Sequence, residues 1–139
     1  MPTDGASARP RLGQPHPAVR GLLHVTTAAL SQMTRQGSGD IVMVAPVAGR
    51  VLRAGVSNLA SARIALEVAA LCDTLRRQAG PYGVRIAVVE LAALAPDYDA
   101  DGSAVLIAED VATTILFVLT RPPHLSIAEI LIRSANQQG

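Results

Sequence analysis

Two short apolar runs constrain this chain more than anything else in it. Asp40–Ala45 (DIVMVA) and Val84–Val89 (VRIAVV) are rich in β-branched residues, too short for helices and bounded by Gly and Pro. Neither shows the apolar–polar alternation of a strand with one wet face, so both read as strands covered on both sides. Such strands need helix layers above and below them, and the flanking sequence has the pattern for these. Val19, Leu22, Leu23, Thr26, Leu30 and Met33 recur at helical spacing, and Gln36-Gly37-Ser38-Gly39 stops the pattern. Ser57 or Asn58 can cap a second helix that runs to about Gln78, and Gly80–Gly83 makes a turn into the second strand. Glu109 and Asp110 place negative charge at the start of a third helix that runs to about Thr120, where Arg121-Pro122-Pro123 ends it. Ser126–Ile132 reads as a third strand. Helix and strand alternating three times over is the rhythm of right-handed crossovers, which predicts an α/β fold with three parallel strands and flanking helices.

Composition removes several function classes. Half of the 139 residues are hydrophobic and 2% are aromatic, so the core is Ala, Val, Leu and Ile. The formal charge is +1, with no basic run and no aromatic ladder, which argues against nucleic acid as a partner. Lysine is absent, so no side chain here can form a Schiff base. Cys72 is the only cysteine; an intramolecular disulfide and a thiolate metal cluster are therefore excluded, and its apolar setting reads as a small buried hydrophobe. Asp97, Asp99 and Asp101 alternate along one loop but lack the glycine and closing glutamate of a calcium loop, so they read as solvated charge. Residues 1–17, rich in Pro and Gly, read as a flexible leader, with one domain over 18–139. No run reaches roughly 18 apolar residues, and a cytoplasmic protein away from membranes is expected.

Specific likeness lies in the residues rather than in their rhythm. The stretch from His16 through Leu91, HPAVRGLLHVTTAALSQM to VRIAVVEL, resembles the central and C-terminal portion of the short-chain dehydrogenase/reductase family element by element. AEDVATTILFVL and IAEILI resemble that family's last helix and strand. The resemblance implies a partial Rossmann-like fold, the second half of such a domain, N-terminally truncated. It also implies an Asn, Ser, Tyr and Lys as catalytic residues, and these positions fall on Ala18, Pro46, Leu59 and Arg63. In the family the tyrosine exchanges a proton with the substrate oxygen, the lysine tunes it and holds the nicotinamide ribose, and the serine positions the carbonyl. Leucine has no proton to give, and without a phenol to tune, Arg63 can only hold an anion or a carbonyl. No glycine-rich phosphate turn occurs, and Leu91-Ala92 stands where the family has Pro-Gly.

The expectation is therefore a non-catalytic protein, without cofactor or metal, that associates with itself or with a full-length reductase. The two long helices resemble those through which family members dimerise, and the edge of the first strand is expected to be open. A second reading is a small cofactor-independent enzyme or ligand binder on the same scaffold. Its candidate groups are His24, Arg50, Arg53, Arg63, Glu90 and Tyr98. A third, resting on family similarity alone, is an NAD(P)-dependent oxidoreductase.

Overall fold

The computed structural model describes residues 14–46, 59–91 and 106–135. Pro17–Gln36 form α1, Gly39–Pro46 β1, Leu59–Ala79 α2, Val84–Leu91 β2, Ala108–Leu119 α3 and Glu129–Ile132 β3. The strands lie side by side in the order β1-β2-β3, with both pairings parallel. This is the expected partial Rossmann-like arrangement. Among the described residues no helix is long and apolar enough to cross a membrane. The aspartate loop, Arg50, Arg53 and Tyr98 lie outside the described residues.

Local chemistry accounts for the element ends. Pro17 sits in the first turn of α1, where its missing N–H costs nothing, so the helix starts within the span expected for the leader. Gly37 ends it at φ 72°, with its N–H and that of Ser38 closing on the carbonyls of Thr34 and Met33. Gly83, at φ 77°, leads into β2, and a Cβ there would come within 2.5 Å of the Gly37 carbonyl oxygen. The starts of β1 and β2 thus meet glycine to glycine.

β2 is the centre of the packing. Val84, Ile86 and Val88 face α1 and α2, in a core with Val19, Met43, Ala45, Val68, Cys72 and Leu75. Ala87 and Val89 face the other way, where Val111 and Val118 of α3 are also buried. Each fully buried Val or Ile contributes roughly 1.5–3 kcal/mol of transfer free energy. Cys72 behaves as expected: it is buried, its Sγ lies 3.4 Å from Met43 Sδ, and burial pushes its thiol pKa up.

Two expectations need correction. Among the described residues β1 is covered more fully on one face: Met43 and Ala45 are buried against the helices, whereas on the opposite face Val42 is half-buried and Val44 is 47% exposed. The helix on that side, α3, packs chiefly on β2. The third strand is also shorter than Ser126–Ile132, beginning at Glu129. Arg76 of α2 reaches the sheet at that start. Its Nη2 donates to the Ala128 carbonyl at 2.7 Å and its Nε to the Ile86 carbonyl at 3.0 Å. The Ala128 carbonyl also accepts the Val88 N–H, so the guanidinium shares that acceptor with the ladder and takes the Ile86 carbonyl beyond its last rung.

A second arginine fastens α3. Arg85 Nε and Nη2 grip both oxygens of Asp40, its register partner on β1, at 2.6 and 3.2 Å. Its Nη1 donates to the carbonyls of Arg121, Pro122 and Leu125 at 2.8–3.0 Å, and Nη2 also reaches Leu119 O at 3.4 Å. The arginine that interrupts the apolar run thereby satisfies the carboxyl end of α3 and the turn after it. Arg85→Ala should lower the unfolding free energy by about 2–4 kcal/mol, since it strands a partly buried carboxylate and several carbonyls. Arg85→Lys should recover only part of this, because an ammonium lacks the planar fork. Urea denaturation of the three proteins measures both, and an unchanged midpoint for the alanine variant would contradict the assignment.

Candidate functional site

In sheets of this topology the carboxyl ends of the strands, with the amino ends of the helices beside them, are where ligands bind. Here that end comprises Pro46, Glu90 and Leu91, together with the starts of α1, α2 and α3. The starts of α1 and α2 are tied together. Glu67 accepts the His16 backbone N–H on Oε2 at 2.8 Å and the Arg63 Nε–H on Oε1 at 3.0 Å. Arg63 Nη2 donates in turn to the Gln14 carbonyl. His16 caps α1 itself, its Nδ1 accepting the Ala18 N–H at 3.1 Å. Burial works to raise the Glu67 carboxyl pKa; the His16 amide and the Arg63 guanidinium outweigh it and hold it below its ordinary value.

The four positions matched above to Asn, Ser, Tyr and Lys fall as follows. Ala18 is in the first turn of α1, exposed, its N–H spent on the cap. Pro46 ends β1 and is paired in register with Leu91. Leu59 is the first residue of α2, and Arg63 lies one turn further on. The guanidinium of Arg63 is bound on both sides by groups of its own chain. Of the further candidates, His24 is exposed midway along α1 and Glu90 is half-buried near the end of β2. No hydrogen bond or ion pair among the described residues joins His24, Arg63 and Glu90 to one another. Two open grooves of about 510 and 310 Å³ contain none of them; the larger lies between the start of α3 and the residues after β3.

A nicotinamide dinucleotide needs donors for its phosphates and ribose hydroxyls, and the described groups at this end do not fit it. Arg63 is already engaged and Arg20 Nη2 donates to Gln14 Oε1, while the exposed Arg133, just after β3, lies across the groove from Asp110. The amino end of α1 is closed by its histidine cap, and that of α3 carries Glu109 and Asp110, whose carboxylate accepts the Ile107 N–H at 2.9 Å. Negative charge there disfavours a phosphate.

Sequence reasoning missed His16, Gln14, Glu67 and Glu129. The four-residue spacing of Arg63 and Glu67 signals their pairing on a helix, whereas contacts of 49 and 51 residues' separation leave no local mark. Glu129 matters through register: it is paired with Val88, which places it diagonally from Glu90 on the same face. Burial, and then the Glu129 charge, raise the Glu90 carboxyl above its ordinary value. A raised carboxyl takes up protons on folding, so its contribution to stability is present at acidic pH and lost as pH rises through the folded value. Glu90→Gln should therefore melt higher than the native chain at pH 7, with the gap closing below the ordinary carboxylate range. Melting curves across that interval test it, and a gap independent of pH would refute it.

The short chain dehydrogenase family profile matches residues 16–104. A glycine betaine reductase of Emericella nidulans is 26% identical over 132 residues, which is 85% of this chain and 10% of that protein. An uncharacterized oxidoreductase of Staphylococcus aureus is 24% identical over 119 residues, covering 83% of this chain and 51% of its own. Among solved structures, serine dehydrogenase from Escherichia coli superposes with a TM-score of 0.71 at 24% identity, over 86% of this chain and 51% of that one. The chain thus spans about half the length of the oxidoreductase and dehydrogenase it matches.

Proposed function

Since the chain belongs to the short-chain dehydrogenase family, we propose that it keeps the family's scaffold without its chemistry. On this reading it acts as a non-catalytic protein, by association with itself or with a full-length reductase. One observation carries the reading. At the position matched to the family's lysine, Arg63 spends its guanidinium on Glu67 and on the Gln14 carbonyl. A cation so held neither tunes a phenol nor reaches a ribose, and the position matched to the tyrosine is Leu59, which has no proton to exchange. The groups nearby are bound as structural parts, joining the amino ends of α1 and α2.

Surface chemistry supports association. Val25 of α1 is 68% exposed and Leu66 of α2 is 53% exposed, each on a helix whose other side is in the core. Large apolar side chains turned outward on neighbouring helices favour burial against another protein.

Absence of hydride transfer is the test. The purified chain, incubated with NADH or NADPH and a panel of carbonyl substrates, should oxidise neither coenzyme above the protein-free rate. The double substitution Leu59→Tyr with Arg63→Lys should not restore activity, because the described surroundings do not fit the coenzyme. Steady turnover by the native chain would overturn the proposal.

A further inference from the structure

The open edge of β1 has a definite hydrogen-bonding pattern, which the register of the sheet fixes. The Val88 N–H donates to the Ala128 carbonyl at 3.0 Å, so the even-numbered residues of β2 turn their backbone groups toward β3 and the odd-numbered ones toward β1. With Ile41 paired to Ile86 and Met43 to Val88, the odd residues of β1 bond to β2. Asp40, Val42 and Val44 therefore turn both N–H and C=O outward, and Pro46 its carbonyl alone. Among the described residues no strand pairs with this edge.

Among the described residues the edge is guarded only at its end, by Pro46. No proline or lysine interrupts residues 39–45, and the one charged side chain, Asp40, is neutralised by Arg85. On the face away from α1 and α2, Val42 is half-buried and Val44 is 47% exposed. A row of alternating donors and acceptors is satisfied by another strand, not by a helix face or a small ligand.

We propose that β1 pairs with β1 of a second copy of this chain, antiparallel about a twofold axis at Met43, giving a continuous six-stranded sheet. This deepens the association reading above and rests on it. The sequence around Met43 is self-complementary in that register. Val42 lies opposite the partner's Val44 as a doubly hydrogen-bonded pair, and Val44 opposite the partner's Val42 likewise. The Asp40 N–H meets the carbonyl of the partner's Pro46, and the ladder stops there because proline has no N–H to return. The outward valines of the two copies form one cross-strand cluster on the open face. With Asp40 held by Arg85 in each copy, no unpaired like charges meet along the seam.

Proline substitution tests this without disturbing the protomer's own ladder. In Val42→Pro the lost N–H is an outward one, which bonds nothing among the described residues, and edge strands accept proline at such positions. Light scattering on size-exclusion chromatography should give twice the chain mass for the native protein and the single mass for Val42→Pro, with the same circular dichroism. Hydrogen exchange of the native protein adds a readout that needs no variant: the Val42 and Val44 amides should be protected, and lose protection on dilution. A monomeric native chain, a dimer that survives Val42→Pro, or Val42 and Val44 amides that exchange freely in the native dimer overturns the proposal. So does a stable complex formed only with a different polypeptide. Coenzyme turnover by the same sample separates the two claims: turnover defeats the non-catalytic reading, whereas an inactive monomer defeats only the strand pairing.

Discussion

The Arg85 guanidinium lies where three parts of the chain end: the start of β1, the carboxyl end of α3 and the turn that leads toward β3. Helix ends leave carbonyls without partners, and a sheet edge tied only by its ladder leaves its flanking helix free to shift. One planar cation satisfies the carbonyls and pairs with Asp40 across the sheet, so α3 is fixed over β2. Arg76 performs a related task on the opposite face, holding Ala128 and Ile86 from α2. β2 is buried from both sides because these two arginines position what covers it.

The same economy of side chains shapes the carboxyl end of the sheet. Arg63, Glu67 and His16 join the starts of α1 and α2, and no polar group in that trio is left over for a ligand. A catalytic site aims donors at the place where charge develops on the substrate; here Arg63 aims its donors at Glu67 and the Gln14 carbonyl. Family membership and structural likeness describe the scaffold, and the proposal that the scaffold acts by association rests on how its polar groups are spent.

Much of the architecture is legible in the sequence because its signals are local. The apolar runs at Asp40 and Val84, the helical spacing from Val19 to Met33 and the glycines at 37 and 83 each mark an element within a few residues. Relations between distant residues are not marked in that way. The thinner cover on the Val44 face of β1 goes with α3 packing chiefly on β2, and the start of β3 is met by Arg76, 52 residues before Ala128. Arg85 looks in the sequence like an interruption of a strand, yet it is a principal tie of the fold. At the candidate site, the resemblance singles out Ala18, Leu59 and Arg63, whereas the Gln14 contact that engages Arg63 is given by the fold. Glu90 was marked as a candidate, and its altered acidity depends on Glu129, brought beside it by the β2–β3 register.

Calorimetric titration of the purified chain with NADPH, and separately with NADH, tests the central claim most directly, because binding is needed for any hydride chemistry and is measured without knowing a substrate. The account predicts no saturable heat up to millimolar coenzyme. Stoichiometric binding in the micromolar range would contradict it and return the carboxyl end of the sheet to consideration as an active site.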